Sequence, residues 1–198
     1  ELEGLSLFDA FGRDAVAMYT LSKQLLADGG VSMSARAGEW LNANLDTNPN
    51  EGLPKALLSL AYPAAYGSLV QKYAQDQRVS PLLMLAFIRQ ESFYDPRAQS
   101  GAGALGLTQV LPDTAESLAR RLNISSYDEE ELLQADLNLR IGTAYMADQL
   151  REFNDEVFVA LSAYNGGPAS AKRWRTAAAD DADVFLENIE FAESRLYV

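Results

Sequence analysis

Apolar residues recur at helical spacing along most of the chain, most clearly between Ser80 and Glu91. Ser80 can cap a helix, and Pro81 suits a first helical turn. The pattern predicts a helix with one face at positions i, i+3, i+4 and i+7, which are Met84, Phe87, Ile88 and Glu91. A carboxylate therefore occupies a position that the pattern reserves for a core side chain.

Residues 1–52 contain the apolar faces of two or three amphipathic helices. The first stretch breaks at Gly29-Gly30, a second runs from Ser34 to Leu45, and residues 48–52 form a linker. The apolar positions of the first stretch are Phe8, Phe11, Val16, Tyr19, Leu21, Leu25 and Leu26.

Helical patterns dominate from residue 53 onward. We expect a capping box at Asp113 and Glu116, and a long helix that opens at Asp136. Another helix is expected from Val157 to Tyr164, ended by Gly166-Gly167-Pro168.

Two further signals lie between these helices. Asp95-Pro96 is expected to stop the Glu91 helix, because a residue before proline avoids helical angles. Residues 107–111 form the only strand-like piece in this region. The sequence therefore predicts a mainly α fold with at most one small β-hairpin.

The composition excludes several kinds of catalytic and metal-binding site. The chain has 198 residues and neither cysteine nor histidine, which excludes disulfides, thiol catalysis, the Ser-His-Asp triad and imidazole metal sites. Acid–base work must fall to Asp, Glu, Tyr or Lys. We expect no metal and no cofactor.

The charge also excludes classes of partner. The net charge of −12, from 16 basic and 28 acidic residues, disfavours binding to nucleic acid or to anionic membranes. No apolar run approaches the roughly 20 residues of a spanning helix. Because the chain begins at Glu1 rather than Met, we expect it to be a piece of a longer protein.

Glu91 is the leading candidate for catalysis. Burial on an apolar helix face disfavours the charged carboxylate and raises its pKa. A carboxylic acid that is protonated at neutral pH is what cleavage of a glycosidic bond requires. The alternative is a solvated or salt-bridged carboxylate at a helix end, with Arg89 or Arg97 as its partner.

Several other motifs have structural explanations. Gly101, Gly103 and Gly106 spell G-x-G-x-x-G, but the motif follows a helix, which argues against a dinucleotide site. We interpret these glycines as allowing backbone to approach a ligand or Glu91. Asp95 could be a second catalytic carboxylate, although a turn-capping role is favoured. The acidic run 128–131 is interpreted as a solvated helix start.

Tyr164 and Asn165 lie together at a predicted helix end. A tyrosine hydroxyl and an asparagine amide can orient a carboxylic acid or bind sugar hydroxyls. For Tyr164, the alternative is packing in the core with its hydroxyl in water.

Taken together, these motifs resemble the catalytic domain of the soluble lytic transglycosylases, relatives of the goose-type lysozymes. The resemblance covers roughly residues 61–198. The matching segments are Arg89–Ser92, Ser100–Gly106, Gly106–Pro112 with Thr114-Ala115, Ala163–Pro168, and Phe185–Ile189 continuing to Glu193–Arg195.

The resemblance implies a lysozyme-like, mainly α catalytic domain at 53–198. Residues 1–52 would then be the end of a superhelical array, with a simple N-terminal extension as the alternative. The resemblance also implies an activity, the cleavage of the β-1,4 bond between N-acetylmuramic acid and N-acetylglucosamine in the glycan strands of peptidoglycan. The product would be a 1,6-anhydromuramic end. The location implied is the bacterial cell envelope, periplasmic or extracellular.

The resemblance also assigns roles to residues. Glu91 matches the single catalytic acid, which serves next as the base. The substrate-binding or acid-orienting positions that match are Ser100, Gln109, Leu111, Tyr164 and Asn165. Glu193 matches a position near the peptide-stem side of the groove.

The chain departs from the family pattern at four positions. Leu105, Thr108 and Leu111 stand where methionine is usual, and Gly166 stands where alanine is usual. We expect the groove floor to differ at Thr108, which lacks the apolar bulk. The alternatives are a hydrolytic muramidase of lysozyme type, a non-catalytic peptidoglycan-binding module and a purely structural helical scaffold. The oligomeric state is left open.

Overall fold

The computed structural model describes residues 14–45, 54–125, 127–178 and 181–198, and these are mainly helical. The α-helices are α1 (Ala15–Ala27), α2 (Val31–Asn44), α3 (Lys55–Ala61), α4 (Gly67–Gln77), α5 (Pro81–Ser92), α6 (Pro112–Arg121), α7 (Ala135–Glu152), α8 (Val157–Gly166), α9 (Pro168–Ala178), α10 (Ala182–Asn188) and α11 (Ala192–Tyr197). A 3₁₀ helix, Glu129–Leu133, precedes α7. Within the described ranges no strand forms, and the prediction of a mainly α fold is confirmed.

Helices α1, α2 and α3 pack around a small core of their own. Met18 of α1, Leu41 of α2 and Leu57 of α3 meet there. The closest approach is at Gly38, where an added Cβ would lie 2.5 Å from the backbone nitrogen of Ala61. The predicted break at Gly29-Gly30 is confirmed, because α1 ends at Ala27 and α2 begins at Val31. Phe8, Phe11 and the predicted linker 48–52 lie outside the described residues.

The main core is built around α7, which packs against α4 and α8, while α4 also packs against α5. Met84, Phe87 and Ile88 of α5 are buried in this core, as their spacing predicts. Helix α7 begins at Ala135, with Asp136 in its first turn, which confirms its predicted opening. Helix α8 ends at Gly166, and Gly167 follows with φ +85°, as the stop sequence predicts.

Helix α5 carries Glu91 in its last turn. Its start is as predicted, with Pro81 in the first turn and the Ser80 hydroxyl accepting the Leu83 N–H at 3.4 Å. Its end comes earlier than Asp95-Pro96. Phe93 and Tyr94 take left-handed backbone angles, with φ +51° and +62°, and these stop the helix at Ser92 before the proline can act.

Two local predictions around residue 110 are wrong. Residues 107–111 form turns and one isolated bridge rather than a strand, since Gln109 has φ +48°. The capping box also does not form. Pro112 takes the first position of α6, so the cap falls on Leu111 and Asp113 lies inside the first turn. Glu116 instead pairs with Arg120 at 3.4 Å.

The buried side chain of Asn138 on α7 makes four hydrogen bonds at the loop from Leu105 to Gln109 and beside it. Its Oδ1 accepts the backbone N–H of Thr108 at 2.9 Å and the Thr108 hydroxyl at 2.8 Å. Its Nδ2 donates to the carbonyls of Leu105 and Leu132 at 2.9 and 2.8 Å. Both donor hydrogens of the amide and two acceptor sites are therefore used inside the protein.

The same loop rests on α7 at Gly142. A Cβ at Gly142 would lie 2.2 Å from the Thr108 hydroxyl oxygen and 2.5 Å from the Thr108 Cβ. We therefore expect Gly142→Ala to lower the free energy of unfolding by about 1–3 kcal/mol, the usual cost of overpacking. Urea unfolding measures this change.

Gly67→Ala is the matched control, because nothing lies within 4 Å of an added Cβ at this helical glycine. It should leave stability unchanged or raise it by up to about 1 kcal/mol. Equal effects of the two substitutions would contradict the close approach of the loop to α7.

Candidate active site

A cleft of about 540 Å³ opens beside Glu91. Six segments form its walls: the end of α5, the loop 100–111, the start of α6, the middle of α7, the end of α8, and α11. Its lining comprises Gln90, Glu91, Ser100, Ala102, Ala104, Gln109, Val110, Leu111, Thr114, Tyr145, Tyr164, Asn165, Glu193, Leu196 and Tyr197. All seven residues that the sequence singled out as candidate site residues lie along this one cleft.

Glu91 is partly buried at the base of α5. Desolvation raises the pKa of its carboxyl from 4.5 to about 7. The negative charge of Glu193 adds to this rise, and the hydrogen bond from Tyr197 opposes it. The expectation of a raised pKa is confirmed, and its cause is burial, as the helix pattern predicted. Neither Arg89 nor Arg97 pairs with Glu91, and Arg89 binds Glu39 instead at 3.0 Å.

Tyr197 was missed by the sequence reasoning. Its hydroxyl donates to Glu91 Oε1 at 2.5 Å, and burial together with the Glu91 charge raises the pKa of the tyrosine. A signal was present, because Tyr197 follows Glu193 by four residues and so shares a face of α11 with it. Without the structure, nothing indicated that this face closes over Glu91.

Tyr164 supports the site from the core side. Its ring centroid lies 4.6 Å from those of both Phe87 and Tyr145, and its hydroxyl donates to the Thr108 carbonyl at 2.9 Å. Burial and, second, the charge of Glu91 raise the pKa of Tyr164 well above its usual value. Tyr164 thus packs in the core, as the alternative held, but its hydroxyl binds backbone rather than water.

Asn165 links α8 to α11. Its Oδ1 accepts the Ser194 hydroxyl at 2.5 Å, which leaves its amide N–H groups without a partner among the described residues. Gly166 allows this close approach. A Cβ there would lie 3.0 Å from the Ser194 hydroxyl oxygen and 2.9 Å from the ring of Trp174.

The loop contributes three candidate residues to the cleft. Ser100 is exposed, and its hydroxyl accepts the Ala104 N–H at 3.0 Å. Gln109 donates its amide to the carbonyls of Ala98 and Gly106, which leaves its Oε1 available to a ligand. Leu111 keeps 45% of its surface exposed at the cleft wall.

The structure corrects the expectation about Thr108. This side chain is fully buried between the loop and α7 and does not line the cleft, so it cannot alter the groove floor. It binds Asn138 instead, a contact that its hydroxyl makes possible.

The interpretation of the glycines also changes. Gly106 allows a close approach to Asn138 Nδ2 and the Leu132 carbonyl, each 2.4 Å from an added Cβ, and not to Glu91. An added Cβ at Gly101 or Gly103 would have nothing within 4 Å.

Asp95 caps a turn, as favoured, because its Oδ1 accepts the Arg97 N–H at 2.9 Å. Asp95 does not line the cleft, whose lining contains two carboxylates, those of Glu91 and Glu193.

The described residues hold no group of three or more acidic side chains placed to bind a metal ion. In the same ranges, no helix is long and apolar enough to cross a membrane.

Comparison with known proteins identifies the family. Residues 68–184 match the family model of the transglycosylase SLT domain, which covers more than half of the chain. The chain therefore belongs to the SLT transglycosylase domain family.

Relatives named soluble lytic murein transglycosylase match over 140 residues, with 35% identity in Salmonella typhimurium and 34% in Escherichia coli K12. Each match covers 69% of this chain and 22% of the relative. The chain thus spans about a fifth of the length of these curated relatives.

Solved structures agree with the fold. The 70 kDa soluble lytic transglycosylase of Escherichia coli superposes with a TM-score of 0.77 at 28% identity. An inactive Glu-to-Gln mutant of lytic transglycosylase Slt from Pseudomonas aeruginosa gives 0.74 at 26% identity. Each comparison covers 89% of this chain and 27% of the other. The fold is the mainly α, lysozyme-like fold of this family.

The raised pKa of Glu91 predicts a stability effect. Because folding raises this pKa from 4.5 to about 7, the protein takes up a proton on folding and loses stability as the pH rises through that window. Glu91→Gln should remove this loss, so that the variant is more stable than the wild type by about 3 kcal/mol at pH 8. Near pH 4 the advantage should vanish.

Urea unfolding between pH 4 and pH 8 measures this difference. Glu187→Gln is the control, since that side chain is exposed and lines no part of the cleft, and it should keep the wild-type pH dependence. Parallel stability curves for Glu91→Gln and the wild type would show that the carboxyl is not destabilised by burial.

Tyr197→Phe should raise the pKa of Glu91 above about 7, because it removes the hydrogen bond that favours the carboxylate. A ¹³C NMR titration of the glutamate carboxyls measures this, with Glu91→Gln identifying the signal. Tyr19→Phe, on α1 and away from the cleft, should leave the titration unchanged. A fall in the Glu91 pKa would contradict the assigned bond.

Proposed function

We propose that this chain is a peptidoglycan lytic transglycosylase. It cleaves the β-1,4 bond between N-acetylmuramic acid and N-acetylglucosamine and forms a 1,6-anhydromuramic end. The observation that supports this most directly is a carboxyl group, Glu91, with a pKa of about 7 at the wall of an open cleft. The relatives named lytic murein transglycosylases support the same substrate and reaction.

The pKa suits Glu91 to both halves of the reaction. At pH 7 roughly half of the molecules carry the proton, against about one in five hundred for an unperturbed glutamate. A group near the working pH can give up a proton and take one back at similar cost. This is the property that an acid serving next as a base requires.

In the proposed reaction the Glu91 carboxyl gives up one proton and then takes up another. Glu91 donates its proton to the leaving glycosidic oxygen as the bond from that oxygen to the anomeric carbon breaks. The Glu91 carboxylate then accepts the proton of the muramic C6 hydroxyl, whose oxygen bonds to the anomeric carbon. No water is consumed, and Glu91 ends the cycle protonated.

Tyr197 stabilises the intermediate state of Glu91. Once the proton has left, the carboxylate is buried and charged, and the Tyr197 hydroxyl donates to it. The free amide groups of Asn165, the Gln109 Oε1 and the Ser100 hydroxyl then serve the sugar as donors and acceptors. Leu111 offers an apolar surface to a sugar face.

A single carboxylate performs both steps in this proposal. Glu193 lines the same cleft but is exposed. Glu193→Gln should keep more than a tenth of the wild-type rate. A loss as large as that of Glu91→Gln would point to a two-carboxylate mechanism.

The domain division stays a proposal. We infer that residues 53–198 form the catalytic domain and that 1–52 end a helical array. Leu57 places α3 in the same small core as α1 and α2, so α3 would be the contact between the two parts. The envelope location, periplasmic or extracellular, follows from the proposed substrate.

The decisive variant is Glu91→Gln. It should keep the fold and bind glycan but retain less than about 1% of the wild-type turnover, since an acid–base group typically contributes 10²–10⁴-fold. Glu187→Gln should be fully active. Mass spectrometry of digested peptidoglycan should show anhydro ends, about 18 Da lighter than hydrated ones.

Each alternative has its own result in this assay. Reducing ends alone would establish a hydrolytic muramidase on this fold. Binding without any wild-type turnover would establish a peptidoglycan-binding module, and the absence of both would leave a structural scaffold.

A further inference from the structure

A second groove of about 740 Å³ continues from the cleft on the other side of Glu91. The two cavities share Gln90, Glu91 and Gln109 in their walls. Beyond them the new groove runs between α2 and the turn after α5, where Arg36 and Arg97 line it. A third cavity of about 310 Å³ extends it past the same two arginines.

The two arginines distinguish this groove. The chain carries a net charge of −12, and six arginines of the described ranges form ion pairs, as Arg121 does with Asp148. Neither Arg36 nor Arg97 forms an ion pair within the described residues. Both side chains are exposed to the groove.

Stacking holds one of these guanidinium groups in place. That of Arg36 lies 4.5 Å from the centroid of the Phe93 ring, and Phe93 also lines the groove. A stacked guanidinium keeps its N–H donors available at its edge, ready for a carboxylate.

The carboxylates facing the groove do not neutralise both arginines. Asp95 lies in the same wall, but its Oδ1 accepts the backbone N–H of Arg97. With Glu91 protonated, the two guanidinium groups exceed the single charge of Asp95, so the groove has an excess of positive charge. Gln90 and Gln99 add amide groups that can bind a peptide backbone.

We propose that this groove binds the carboxylate-bearing peptide stem of the substrate, with Arg36 and Arg97 as its specificity-determining residues. The inference rests on the proposed function, since it names a second part of the same polymer. Arg36 belongs to α2, outside the residues 68–184 that match the family model. The N-terminal helices would therefore take part in recognising substrate.

The test compares two substrates: intact peptidoglycan strands and the same strands stripped of peptides by an amidase. Arg36→Gln and Arg97→Gln should each raise KM for the intact strands about 3-fold, and the double variant about 10-fold, as expected for exposed charge pairs. The kcat, and the KM for stripped strands, should not change. Added salt should reduce the difference between wild type and variants.

Arg120→Gln is the matched control, because it removes one exposed guanidinium that lines neither cavity. It should leave KM for both substrates unchanged. Thermal unfolding checks that each variant is folded. If Arg36→Gln does not fold because it loses the stack on Phe93, the KM of Arg97→Gln alone tests the proposal.

Three results would overturn the proposal. They are no change in KM for either substrate, an equal rise for both, and the same rise for Arg120→Gln. If the wild type cleaves neither substrate, the proposed function fails instead. The groove is then tested by calorimetric binding of both strands to Glu91→Gln with and without the arginine substitutions, where unequal losses support it and equal or absent losses refute it.

Discussion

The four hydrogen bonds of Asn138 are the contact on which the arrangement of the site depends. Three of them join α7 to the loop that carries Gln109, and the fourth goes to the Leu132 carbonyl before α7. Thr108, which Asn138 holds by its N–H and its hydroxyl, in turn offers its carbonyl to the hydroxyl of Tyr164. The loop has no strand ladder to hold it, so its backbone groups need partners of another kind. One fully satisfied amide supplies several of them. Gly106 and Gly142 keep the approach close enough for these bonds to form.

The burial of Glu91 lowers the stability of the fold at neutral pH, but it also gives the carboxyl the raised pKa that acid catalysis needs. Burying an ionisable carboxyl without a basic partner disfavours its charged form and costs folding free energy at neutral pH. The protein limits this cost with one neutral donor, Tyr197, rather than with a cation. A cation such as Arg89 at that position would hold the carboxyl ionised and unable to give up a proton. Arg89 is instead turned toward Glu39 and the carbonyl of Ala61.

Much of this could be predicted from the sequence because it depends on local patterns. The spacing of Met84, Phe87 and Ile88 fixed both the helix and the face on which Glu91 lies. The long helix from Asp136 and the glycine stop after α8 follow from the same kind of signal.

What could not be predicted depends on contacts between distant segments. Gln109 takes a left-handed backbone angle in a loop held by Asn138, and no local pattern encodes that. Thr108 was wrongly expected to line the groove for the same reason. A polar side chain is expected to be exposed unless a buried hydrogen-bond partner, here Asn138, is known. Tyr197 lies 106 residues from Glu91, and only the packing of α11 brings the two together.

Arg89 has a consequence for any attempt to isolate the proposed catalytic domain, residues 53–198. It lies two residues before Glu91, and its guanidinium is held between the rings of Tyr62 and Phe93 while it binds Glu39 of α2. Trimming the chain at the proposed boundary, before residue 53, would remove Glu39 and would expose the α3 backbone that Gly38 covers. Arg89 would then keep its hydrogen bond to the Ala61 carbonyl but lose its ion-pair partner. A minimal enzyme engineered from this protein should accordingly keep α1 and α2.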